Sequence, residues 1–328
     1  MKKTLLNDIR FYLNKIPKPL MLLFRYIIGF SPIIWIFSKT DMAALISNLK
    51  LVPLWTLPVA STIVLLFIFF QGYKWWLLIR CFITDLPLTK AMRTHLIGTF
   101  YSLVLPTSAA QDFVRASLLS KEGDYPVIWG SSWVSRIFGL MTYGLFSICS
   151  LYFIRKYYNL PSELSTVITA TLLTIPVVFL LSFSKKTTKS IRVLIQKVLP
   201  RKFLFIIENV REGIYQFRYK KVQLLTNFLI TLFMTFFAVF NCSLILKGIT
   251  GHFYLGECFA FIPLIEIITM SLPLTPNGIG VRESLTAVMF GTIGISTESL
   301  AIYISISLYL NSLKLVGGIP LLFNNRKG

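Results

Sequence analysis

The chain predicts an all-α fold: a polytopic helical membrane protein with six full spans and two re-entrant helical hairpins in an inverted-topology repeat. Three observations carry that prediction. The 328 residues are 55% hydrophobic and 14% charged, with a mean hydropathy of +0.71, and several apolar windows can cross a hydrocarbon core of about 30 Å. Between two such windows, residues 184–222 hold eleven Lys and Arg against Glu208 and Glu212. Basic loops stay cytoplasmic, so this block sets the orientation. Finally, each half contains a shorter apolar stretch interrupted by proline or glycine, a mark of broken membrane helices.

The first-half elements follow from charge and length. Residues 1–19 carry five basic groups against Asp8, which places them inside. A first span, 20–38, runs outward; no small-residue cleavage site follows it, so it reads as a membrane helix and not as a removed signal. The second span, 51–71, returns, and the loop 74–93, with four basic residues and one acid, sits inside as the rule requires. Counting back from the basic block, span 164–183 runs inward and span 127–154 outward. Residues 95–126 therefore begin and end inside, and these 32 residues are too few for two crossings of roughly 20 apolar residues each. A re-entrant hairpin broken at Pro106 is expected there.

The second half repeats this order from the opposite face. Span 223–246 runs outward, and span 299–323, followed by Arg326 and Lys327, runs inward. Residues 252–298 begin and end outside. They contain SLPLTPNGIGVRES, in which Pro273, Pro276, Gly278 and Gly280 cannot share one regular helix. The halves are thus 1–163 and 164–328, with 184–222 as an insertion. Within it Ile191, Leu194, Ile195, Val198 and Leu199 recur at helical spacing, predicting a basic amphipathic helix on the inner leaflet.

The net charge of +20 lies beside apolar spans and not in a polar domain. Anionic membrane lipids, and not nucleic acid, are the expected partners. Cys81, Cys149, Cys242 and Cys258 show no CxxC spacing, and His95 and His252 are the only histidines. No metal site and no cofactor are expected, and the cysteines read as small apolar core residues. No nucleophile–base set or phosphate loop emerges, and Asp41, Asp85 and Asp124 are single loop acids, so the chain is not expected to be an enzyme.

Ionisable groups at membrane depth are costly and should pair or face a wet cavity. Asp112 and Arg115 stand three apart, on one face of the second arm of the first hairpin. Arg282 and Glu283 directly follow the glycine turn of the second hairpin, where a helix N-terminus would offer backbone N–H groups to an anion. Glu266 precedes that breaker and Asn277 lies within it. Arg136 and Lys314 fall inside spans, too deep for easy snorkelling. Each is a candidate for contact with a charged headgroup; local ion pairs closing each hairpin are the alternative. Lys74 and Arg80 read as anchors at a helix end, and Trp75, Trp76 and Trp129 as interface aromatics.

Three stretches carry a resemblance. LPTSAAQDFVRASLL, SSWVSRIFGLM and SLPLTPNGIGVRESL resemble the motifs "LPgraGGDvvRa", "veRllGl" and "lPitpgGiGvrE" of the membrane region of lysylphosphatidylglycerol synthases and their stand-alone, flippase-like relatives. The likeness runs from about residue 20 to 322, and it puts Asp112, Arg115, Arg136, Pro276, Gly278, Gly280, Arg282 and Glu283 at the family's recurrent positions. Ala110 and Gln111 replace its glycine pair, and Ser135 stands where an acid commonly precedes the arginine. The soluble aminoacyl-transfer domain has no room before Gly328, so synthase activity is expected to be absent.

The resemblance implies lipid translocation, and the inverted repeat favours a transporter independently. Arg115, Arg136 and Arg282 would then hold a phosphate-bearing headgroup near the midplane of a cell (inner) membrane, with both termini cytoplasmic. A non-transporting accessory of an envelope glycosyltransferase or polysaccharide pathway, binding a polyprenyl-phosphate lipid and working with envelope-biosynthesis proteins, is the alternative.

Overall fold

The computed structural model describes residues 33–105, 109–120, 124–157, 210–271 and 275–322, with Ile27, Ser31 and Thr166 besides. Span 164–183 apart from Thr166, most of the 184–222 insertion, Pro106, Pro273 and most of the start of span 20–38 lie outside the described residues. Among those described, the chain is helical almost throughout and contains no strand.

Helix α1 (Met42–Leu51) opens where Asp41 Oδ1 accepts from the Ala43 and Ala44 backbone N–H groups at 2.9 and 3.4 Å. Asp41, read above as a loop acid, is therefore an N-cap. Helix α2 (Thr56–Arg80) is 25 residues long, about 37 Å at the α-helical rise. Together with α6 (Lys221–Thr250) and the continuous segment Thr297–Leu322, it is long and apolar enough to cross a membrane.

Helix α2 continues nine residues past the expected end at 71 because its polar tail is buried in protein and not laid at an interface. Lys74 Nζ donates to Thr231 Oγ1 at 2.9 Å and the Lys74 carbonyl accepts from Asn227 Nδ2 at 2.8 Å. The Trp75 and Trp76 indole N–H groups donate to Ser131 Oγ and the Leu86 carbonyl. Lys74, Trp75 and Trp76 are all buried, which corrects the anchoring role expected for them. Thr56, at the other end of α2, occupies the space that a Cβ on Gly248 would need. With Lys74 against Thr231 and Thr56 against Gly248, α2 and α6 run antiparallel.

Two helical hairpins follow these long helices. The first pairs α3 (Leu88–Val104) with α4 (Ala110–Leu119), beginning seven residues before the expected position. Gly98 permits the close approach, since a Cβ there would sit 2.7 Å from the Gln111 carbonyl oxygen. Helix α5 (Tyr125–Tyr157) comes next. The second hairpin pairs α7 (Leu255–Ser271) with α8 (Val281–Gly291). Between them lies a 3₁₀ turn, Pro276–Gly278, with Asn277 at φ 50°, Gly278 at φ 75° and Gly280 at φ 89°. The arms measure 17 and 10 residues in one hairpin and 17 and 11 in the other.

Helix α9 (Thr297–Ser312) starts at Ser296, whose Oγ accepts from the Ser299 N–H. It tightens into a 3₁₀ stretch, Leu313–Gly318, before α10 (Ile319–Leu322). Helices α2 and α6 lie along each other, α3 packs on the Leu313–Gly318 stretch, and α7 packs on α5. Exchanging α2–α5 for α6–α9 preserves this arrangement: α3 with α4 becomes α7 with α8, and α2 with α5 becomes α6 with α9. The largest core joins α6, α7, α8 and α9 around Phe261, Phe290 and Ile304.

Gly278 combines a left-handed φ with the Thr269 side chain filling its Cβ position. Gly278→Ala is expected to destabilise by on the order of 1–3 kcal/mol. Gly256→Ala, which has open space at its Cβ, serves as the neutral control. Thermal unfolding of the purified protein in detergent reads the difference.

Candidate functional site

The ionisable candidates sort into two groups. The first is built where α4 and α5 meet the buried end of α2. Asp112 Oδ1 pairs with Arg115 Nη2 at 2.7 Å, and its Oδ2 with Arg136 Nη1 at 3.1 Å. The three-residue spacing of Asp112 and Arg115 on α4 makes the first pair; α5 brings Arg136 to the second. Arg115 is buried, with its guanidinium 4.5 Å over the Trp75 ring, a cation–π contact of about 2 kcal/mol when desolvated.

His95 completes this group from α3. An arginine N–H only donates, so His95 Nδ1, 3.5 Å from Arg115 Nη1, is the acceptor, and its Nε2–H donates to the Ile68 carbonyl at 3.1 Å. Gln111, at one position of the family's glycine pair, donates to Thr99 Oγ1 at 3.0 Å and to Gln71 Oε1 at 3.2 Å. The group contains Lys74, Arg115 and Arg136 against Asp112. Sequence reading missed Lys74 and His95 here, because their partners stand on other helices.

The second group surrounds a cavity of about 230 Å³ at mid-depth of the long helices. Arg282 donates to both oxygens of Glu266, Nε to Oε1 at 2.7 Å and Nη2 to Oε2 at 3.2 Å, a bidentate charge-assisted pair. Glu283 turns the other way: its Oε2 accepts from the Gly280 N–H at 2.6 Å. The anion expected at the start of α8 is thus supplied by the chain itself. Lys314 reaches the cavity from the 3₁₀ stretch, and Asn277 donates to Asn311 Oδ1 at 2.6 Å, tying the breaker turn to α9.

The walls come from both sets of exchanged helices: Ile63 and Phe67 from α2, Tyr143 from α5, Asn241 from α6, and Tyr303 from α9. A smaller apolar pocket, of about 130 Å³, lies between α2 and α3 and also touches Lys314. Asp112 and Arg115 make no hydrogen bond or ion pair to Glu266, Arg282 or Lys314 among the described residues. Sequence reading missed Asn241, a polar residue inside an apolar span. Cys242 and Cys258 are buried with their sulfurs 3.3 Å apart, and no cluster of metal-ligating side chains occurs among the described residues.

A family model of the lysylphosphatidylglycerol synthase transmembrane region matches residues 22–309. The chain belongs to that family. The match spans both hairpins, the first ionic group and the Glu266–Arg282 pair of this lysylphosphatidylglycerol synthase-type membrane protein, and it stops five residues before Lys314. No curated protein and no solved structure matches the chain.

Proposed function

We propose that this protein is a lipid translocase that takes an anionic, phosphate-bearing headgroup into the Glu266–Arg282–Lys314 cavity and moves it between leaflets without chemical change. The carrying observation is the cavity: charged groups part-way along the long helices, lined by residues from both exchanged sets. The antiparallel α2 and α6, corresponding members of those sets, support an inverted repeat. The second arms, 10 and 11 residues long, extend about 15–17 Å, half of a hydrocarbon core, which supports re-entrant hairpins. A family named for lipid synthesis supports a lipid as cargo. In this reading the protein sits in the cell membrane with both termini cytoplasmic, and rocking of one set against the other changes the exposed side.

Vesicles carrying a fluorescent anionic lipid and the reconstituted protein test it. Addition of a membrane-impermeant quencher is expected to reveal faster inward–outward exchange than in protein-free vesicles. Binding of the same lipid by folded protein with no faster exchange would point to the non-transporting accessory role instead.

A further inference from the structure

We infer that Cys242 on α6 and Cys258 on α7 form a covalent modification site, closed as a disulfide that ties the first arm of the second hairpin to α6. The two sulfurs stand 3.3 Å apart, with the Cys258 thiol donating to Cys242 Sγ. Tyr303 on α9 donates its hydroxyl to the same sulfur at 3.2 Å, so three helices fix where Cys242 Sγ lies. Closing the gap to an S–S bond takes an approach of roughly 1.2 Å, which small side-chain rotations on both residues cover.

A buried cysteine by itself packs as a small apolar residue, and that role needs no second sulfur in contact. Here residues 16 apart on different helices, 4% and 0% exposed, meet sulfur to sulfur. Their place in the fold suits oxidation. In the orientation proposed above α6 runs outward, away from the basic block 184–222. Cys242 is at position 22 of the 30-residue α6, and Cys258 at position 4 of the 17-residue α7. Both therefore lie toward the outer face, where dithiols are oxidised and not kept reduced. Cys81 is the contrast. It follows the inner end of α2, beside Phe82 and Lys220, and its thiol donates to the Leu78 carbonyl.

The oxidant is an oxidised dithiol donor. Cys242 lines the 230 Å³ cavity whereas Cys258 is fully enclosed, so Cys242 is the attacking residue. Its thiolate attacks one donor sulfur, which makes a mixed disulfide and expels the other donor sulfur as a thiolate. The Cys258 thiolate then attacks Cys242 Sγ, forming the Cys242–Cys258 bond and expelling the second donor thiolate. The protein gives up two electrons and two protons, and the donor leaves as a dithiol.

The test uses membranes from cells making the full chain, quenched in acid, denatured and alkylated with N-ethylmaleimide. Reduction and alkylation with its heavy isotopologue follow, and peptide mass spectrometry reads each cysteine. Cys242 and Cys258 are expected to carry the heavy label and Cys81 the light one. In Cys242→Ala, Cys258 is expected to change to the light label, because its partner is gone. Denaturation before labelling makes both readings independent of how well the variant folds. In detergent, a reductant is expected to lower the unfolding temperature of wild type by about 4 °C, the effect of opening a loop of this size, and to leave Cys242→Ala/Cys258→Ala unmoved. Light label on both residues of wild type, or heavy label persisting on Cys258 in Cys242→Ala, overturns the inference and leaves the translocase reading standing.

Discussion

Arg282→Ala is expected to abolish capture of anionic lipid, whereas Glu266→Gln is expected to strengthen it. The opposite signs follow from the charge left on the cavity wall. Removing Arg282 leaves the Glu266 carboxylate without its ion-pair partner, and the site loses a cation. Neutralising Glu266 frees Arg282, and the site gains a second cation, so phosphatidic acid should improve most. Both single changes break a largely buried pair and are expected to lower stability by about 3 kcal/mol. The double variant Glu266→Gln/Arg282→Gln leaves no orphan charge and should recover most of that loss. Thermal unfolding in detergent and lipid competition on the same samples separate the two effects. If both single variants lose lipid binding equally, Arg282 and Glu266 only hold the second hairpin closed.

Asp112→Asn is expected to be the most destabilising single change in the first group, at about 3–5 kcal/mol. Asp112 is the shared partner of Arg115, which is 1% exposed, and of Arg136. Removing its charge leaves the buried Arg115 guanidinium without its ion-pair partner and takes one partner from Arg136. Reduced yield of monodisperse protein and a lower unfolding temperature are the measurements. Asp112→Asn/Arg115→Met should recover part of the loss, because it removes the buried cation that Asp112 neutralised while keeping an unbranched apolar side chain at that position. A fully stable Asp112→Asn would show that the arginines do not depend on this carboxylate.

The break at SLPLTPNGIGVRES was legible because proline and glycine act on their own backbone: α7 ends at Ser271, α8 begins at Val281, and the turn between them needs positive φ. The Asp112–Arg115 pair was legible because residues three apart share a helix face. Arg282 and Glu283 were grouped by adjacency, yet neighbours on a helix point about 100° apart. Glu283 accordingly turns back to cap the helix while Arg282 crosses to Glu266 on α7.

Lys74 and Trp75 were misplaced for the opposite reason. A window over 71–76 looks polar and aromatic, like an interface, and nothing local shows that Thr231, 157 residues away, will receive the lysine. By itself the sequence determined the membrane class, the broken arms and the family, since hydropathy, backbone restriction and short motifs are properties of contiguous residues. Only the tertiary structure decided which charges neutralise one another and which remain available. Pairing depends on helices that the fold brings together, α4 with α5 for Asp112 and Arg136 and α7 with α8 for Glu266 and Arg282.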